Sequence, residues 1–150
     1  MTSDITIRPA SEDERAELGE LKLRSSLAWG DLNAELAQLP EGRQVPEEHL
    51  ASVFLAERGG AILGFATVLA STGHDAELED LFVEPGLWGQ GIGRMLIAEA
   101  ERRAVASGFR GLHVIANKRA LPFYEAVGFS TIGTVETLFE PAPEMRKDVA

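Results

Sequence analysis

The stretch Glu77–Ala106 constrains this chain more than any other. Leu78, Leu81, Phe82 and Val83 are bulky and apolar, so the stretch begins as a strand. Glu84-Pro85-Gly86 then ends any ladder, because proline has no N–H to give. Gly89, Gly91 and Gly93 follow at every second position and run into a helical pattern, predicted from about Gly91 to Ser107. A helix start presents unpaired N–H groups and the positive end of its dipole. Glycine there has no Cβ, so a ligand can come close to the backbone. Strand, glycine turn and helix start in that order predict an anion site, most often for a phosphate. A plain tight turn is the simpler alternative.

The spacing separates the known glycine loops. A P-loop needs Gly-x-x-x-x-Gly-Lys followed by Ser or Thr, which is absent. A dinucleotide fingerprint needs Gly-x-Gly-x-x-Gly in an early strand–helix–strand unit, whereas this chain has Gly89-x-Gly91-x-Gly93 past its middle.

The chain has 150 residues, enough for one domain (1–150) with a sizeable core, and its 45% apolar and 25% charged residues are those of a globular protein. Its net charge of −10 argues against nucleic-acid binding; it either suits a cationic substrate such as an amine or only confers solubility. No apolar run is long enough to span a membrane. The N-terminus lacks the pattern of a secretory signal, and there is no cysteine, so a cytoplasmic protein is expected. No His or carboxylate pair has metal-ligand spacing, so no metal is expected.

The remaining elements follow from local signals. Ile5–Arg8 reads as a strand closed by Pro9. Ser11 and Glu14 form a capping box for a helix to about Leu27, with Leu18, Leu21 and Leu23 inward. Asp31 can cap a second short helix ended by Pro40. Ser52–Glu57 and Ala61–Ala70 are strands joined at Arg58-Gly59-Gly60. Gly108 stops the central helix. Leu112–Ala116 is a strand predicted to be buried on both faces. A helix over Arg119–Val127 ends at Gly128, where Phe129 can fold back on Phe123 or Tyr124. Ser130–Phe139 and Glu144–Val149 close the chain as strands. This order predicts an α/β (mixed α+β) protein with a mixed sheet and helices on both faces.

A second motif, Asn117-Lys118-Arg119-Ala120-Leu121-Pro122-Phe123-Tyr124-Glu125-Ala126-Val127-Gly128-Phe129, follows the glycine loop. Together the two resemble the signatures of the GNAT superfamily of N-acetyltransferases, whose loop carries Gln or Arg where Trp88 stands. The resemblance implies the GNAT fold, with a central, splayed sheet of six to seven strands. It implies acetyl-CoA as cosubstrate and an amine as acceptor. Coenzyme contacts would come from Leu81, Phe82 and Val83, from the turn Trp88, Gly89, Gln90, Gly91, Ile92, Gly93 and Arg94, and from Asn117, Arg119, Phe123 and Tyr124. Lys118 is a further phosphate candidate.

By the same resemblance, Tyr124 lies beside the thioester sulfur. A phenol with pKa around 10 keeps its proton at neutral pH and can pass it to a departing thiolate. The base is a carboxylate near the glycine loop: Glu79 first, Glu77 second and Asp80 third. Glu77 and Glu79 share one strand face and Asp80 the other. His74 and His113 are weaker candidates, with His113 expected in the core and His49 on the surface. The family's acceptor site would draw on Ser25, Ser26, Trp29, Asp31, Glu79, Phe139 and Glu140. A non-catalytic acyl-CoA-binding module is the alternative. Edge strands near the C-terminus allow a homodimer.

Overall fold

In the computed structural model the described residues are 4–29, 44–137 and 141–149. The second short helix expected after Asp31 lies outside them. Seven strands form one mixed sheet in the order β1-β2-β3-β4-β5-β7-β6. They are β1 (Thr6–Pro9), β2 (Val53–Arg58), β3 (Ala61–Leu69), β4 (Asp75–Val83), β5 (Gly111–Ile115), β6 (Ser130–Val135) and β7 (Ala142–Asp148). The helices are α1 (Arg15–Trp29), α2 (Ile92–Ala106) and α3 (Leu121–Ala126). Among the described residues the predicted succession holds, with boundaries moved by a few residues. No helix among the described residues is long and apolar enough to cross a membrane.

The chain divides into two compact units, and β3, β4 and α2 contribute residues to each. The first takes the chain up to Thr67 and Asp80–Leu96. Pro9 sits at the end of edge strand β1, where no N–H is required. Gly59 and Gly60 both have positive φ, which turns β2 into β3 without splaying them. Ser11 and Glu14 form the predicted capping box. Leu18 and Leu21 of α1 pack with Val45, Val53, Leu55 and Phe65. Leu23 is only half-buried, and Ser25 and Ser26 are buried instead. Spacing explains this: positions 18, 21 and 25 share one helix face, and position 23 lies off it.

Gly64 lets β3 approach the end of β4. A Cβ there would stand 2.7 Å from the Phe82 carbonyl oxygen and 3.2 Å from the Val83 Cα. Both are backbone atoms, which cannot swing aside.

The second unit takes Val68–Glu79 and the chain from Ile97 onward. Its parallel ladder between β4 and β5 is short, Asp75–Glu77 against Gly111–His113. β7 then pairs antiparallel with β5 on one side and with β6 on the other. β5 corrects an expectation: Leu112 and Val114 are buried, but His113 is half-exposed and Ile115 is 39% exposed. A short apolar run did not distinguish a strand covered on both faces from one covered on a single face. Gly108 (φ +88°) stops α2, and Gly128 (φ +103°) follows α3. Pro122 lies in the first turn of α3. Phe129 folds back on Tyr124 with ring centroids 5.4 Å apart, and its N–H donates to the Tyr124 carbonyl at 2.9 Å. Lys147 Nζ donates to the Val127 carbonyl at 2.7 Å and meets Glu101 at 2.9 Å.

Gly64→Ala should destabilise the protein by about 1–3 kcal/mol, because the added methyl overpacks against backbone. Gly73→Ala meets only Ser71 Oγ at 4.0 Å, and should stay within about 0.5 kcal/mol of the parent. Urea unfolding of the two variants checks both.

Candidate active site

In the first unit the site begins where β4 stops. The Glu84 N–H donates to the Leu63 carbonyl at 2.9 Å, and Pro85–Leu87 form a single 3-10 turn. Trp88 then bonds back to the strand: its indole N–H donates to the Val83 carbonyl at 2.9 Å. Thus the side chain standing in place of Gln or Arg spends its only donor within the protein. Gly89 and Gly91 both have φ of +85°, a conformation L side chains rarely adopt. Nothing lies within 4 Å of a Cβ built at either. These two glycines answer a backbone requirement, and the space above them is open. The first hydrogen bond of α2 at this end runs from the Met95 N–H to the Gly91 carbonyl at 3.1 Å. The N–H groups of Ile92, Gly93 and Arg94 therefore belong to the turn that has no intrahelical acceptor.

The side chains around this turn differ in what they offer. Ile92 is buried and supplies only backbone, while Gln90 and Arg94 are exposed. Leu81, Phe82 and Val83 are half-buried. Phe82 packs on Phe65 at 5.8 Å, with Lys22 Nζ 5.9 Å from its ring centre. Asp80, third among the base candidates, is 4% exposed and paired with Lys22 at 3.5 Å.

In the second unit, Asn117 Oδ1 accepts the Arg119 N–H at 2.8 Å and so caps the turn Lys118–Ala120. The Lys118 and Arg119 side chains are exposed. Tyr124 is 7% exposed, with Phe123 edge-on at 5.3 Å and Phe129 edge-on at 5.4 Å. These contacts fix the plane of the phenol ring.

β4, β5 and β7 bring together charged residues that the sequence did not connect. Nδ1 of His113 lies 2.6 Å from Glu77 Oε1, and Nε2 lies 2.6 Å from Glu144 Oε2. Burial lowers the ring pKa, but the hydrogen bonds to Glu144 and Glu77 outweigh it and raise it above the ordinary 6.5. Burial raises the Glu77 carboxyl above its ordinary 4.5, against the lowering effect of His113. Beside them Arg146 binds Asp75 through Nε at 2.8 Å and Nη2 at 2.9 Å. A pocket of about 510 Å³ opens here, lined by Ser71, His74, Asp75, Glu77, His113 and Arg146 among others. His113 is therefore no core residue. Glu79, the first-ranked base, is exposed.

The acceptor-site expectations fare unevenly. Ser25 is 1% exposed and Ser26 is also buried. Trp29 is the last residue of α1. Asp31, Phe139 and Glu140 lie outside the described residues. His74 is exposed, and its carbonyl accepts the Arg110 N–H at 2.8 Å. His49 is half-buried, and its Nδ1 is buried with no hydrogen-bond partner among the described residues.

Comparison with known proteins identifies the family and the fold. The family model for the acetyltransferase (GNAT) family matches residues 18–129. The uncharacterized N-acetyltransferase ycf52 of Gracilaria tenuistipitata var. liui is 29% identical over 70 residues, which is 47% of this chain and 38% of that relative. The chain thus spans well under half of that relative's length. The paia N-acetyltransferase of Thermoplasma acidophilum, solved with coenzyme A, superposes with a TM-score of 0.77 at 21% identity, over 96% of this chain and 98% of that one. A GNAT-family acetyltransferase of Staphylococcus aureus gives 0.80 at 18% identity, over 97% and 99%. At such identities the two structures establish the fold.

Glu77 and His113 both hold protons more tightly in the folded protein than in the unfolded chain. Their stabilisation is complete below the unfolded values and is lost as pH rises, from 4.5 upward for Glu77 and from 6.5 upward for His113. The stability gap between the parent and His113→Gln should therefore narrow as pH rises from about 6 to 9. Urea unfolding across that range reads the gap.

Proposed function

This chain belongs to the GNAT acetyltransferase family, and from that premise we propose that it transfers an acetyl group from acetyl-CoA to a primary amine. The reading takes residues 1–150 as one acetyltransferase domain in a cytoplasmic protein. The observation that carries it is the turn before α2, with Gly89 and Gly91 at φ +85° and open space above both. A diphosphate suits such a turn, because main-chain N–H groups and the helix dipole both favour negative charge.

Each step has a residue to perform it. The N–H groups from Gly89 to Arg94 hold the diphosphate, with Arg94, Lys118 and Arg119 as charged contacts; the Trp88 N–H is already given to the Pro85 carbonyl. The backbone of Leu81–Val83 pairs with the amides of the pantetheine arm, and Asn117 and Phe123 add side-chain contacts. A free amine has pKa near ~10, so a carboxylate of β4 must take its proton before it attacks the thioester carbonyl. The C–S bond then breaks, and the Tyr124 phenol gives its proton to the departing thiolate. The chain has no cysteine to carry the acyl group, which supports direct attack in a ternary complex. Edge strand β6 supports a homodimer formed along that edge.

Tyr124→Phe should lower kcat by about 10²–10⁴-fold and leave the calorimetric Kd for coenzyme A nearly unchanged. Gly91→Ala should do the opposite and raise the KM for acetyl-CoA, since the new side chain strains a left-handed position. Thiol release from acetyl-CoA with a panel of amines reads both variants. Tight coenzyme A binding without thiol release from any amine would replace this reading with a non-catalytic acyl-CoA-binding module.

A further inference from the structure

We propose that His113, clamped between Glu77 and Glu144, is a positioning residue: it aims Glu77, one of the β4 carboxylates that can take the amine proton, and keeps it ionised. This rests on the acetyl-transfer reading above. The three groups sit on three neighbouring strands, β4, β5 and β7. Both ring nitrogens lie 2.6 Å from a carboxylate oxygen. Such a distance requires a proton in each contact. With both carboxylates ionised, the ring carries both protons as an imidazolium.

The clamp divides the labour within Glu77. One oxygen, Oε1, accepts from Nδ1 of the ring. That bond fixes the carboxylate plane and leaves Oε2 for a substrate. Glu77 also lines the pocket of about 510 Å³, so an ammonium group has room to reach it. In the step, an N–H bond of the ammonium breaks and its electron pair stays on nitrogen. The proton joins Oε2 of Glu77 and later passes to water in the pocket. The freed pair then attacks the thioester.

Charge explains why the ring is needed. Half-burial and the nearby carboxylates of Glu79 and Glu144 push Glu77 toward its neutral form, which cannot accept a proton. The imidazolium opposes them. Glu144 holds the ring from the far side, so the ring keeps its charge. Asp75 is engaged by Arg146, which also meets Asp148, and His74 lines the same pocket. Glu79 shares the strand face but is exposed.

Two measurements test this on the full chain. The first is NMR with labelled histidine rings and glutamate carboxyls, followed against pH without any acceptor. Both nitrogens of His113 should be protonated near neutral pH. Glu144→Gln should lower the ring titration, and His113→Phe should raise that of Glu77, each by about one unit. His113→Asn keeps a donor toward Glu77 and should fall between. The second is thiol release from acetyl-CoA against pH with a fixed panel: an amino acid, an amino sugar and a lysine peptide. His113→Phe should move the acid limb of kcat/KM to higher pH and leave the KM for acetyl-CoA unchanged. Glu77→Gln should remove that limb and cost about 10²–10⁴-fold.

A ring that titrates alike in the parent, Glu77→Gln and Glu144→Gln overturns the clamp. An acid limb that survives Glu77→Gln but is lost in Glu79→Gln overturns the base assignment. If no amine releases thiol, the acetyl-transfer reading falls and the base assignment with it, while the clamp is still decided by the NMR titrations.

Discussion

A helix that starts from two left-handed glycines cannot spend its first N–H groups on the strand before it. That constraint governs the middle of this chain. β4 must end, so Pro85 follows it at once. The backbone must then reverse its sense at residues 89 and 91, where a side chain would be strained. Only after that can α2 begin. The open first turn is a consequence of this local chemistry. Gly64 serves the same end from β3, where a methyl would collide with the Phe82 carbonyl near the end of β4. Three glycines thus have distinct duties: two set the path of the turn and one sets the distance to its neighbour.

The polar face around His113 follows a different logic. Asp75, Glu77, His113, Glu144 and Arg146 are brought together by strand pairing alone. His113 lies directly opposite Arg146, and Glu144 lies two residues away on the same face. None of the five is fully exposed, so each contact forms where water screens it only in part. The outcome is two locked groups, an arginine bound to an aspartate and an imidazole between two glutamates. Such groups keep their orientation without help from a ligand, which is how a rigid site is prepared.

The sequence disclosed features whose causes lie within a few residues. Ser11 and Glu14 announce the start of α1, and Gly108 and Gly128 announce the ends of α2 and α3. Pro85 and the glycines after it mark the turn, and Phe129 marks its contact with Tyr124. What stayed hidden depends on pairing between distant strands. β7 inserts between β5 and β6, so Glu144 reaches His113 across 31 residues. No periodicity reports such an insertion, and His113 reads as core because its neighbours Leu112 and Val114 are apolar. The Asp80–Lys22 pair was hidden for the same reason: it joins β4 to α1 across 58 positions of chain.

The bond from the Trp88 indole to the Val83 carbonyl has a consequence for traffic at the end of β4. A carbonyl oxygen has two lone pairs, and the ring occupies the approach to one. A visiting amide must come in along the other, or displace the indole and exchange one hydrogen bond for another at little net gain. A tryptophan in this place therefore acts as a one-sided fender. On the acetyl-transfer reading it would set the direction from which a guest docks without its indole holding the guest.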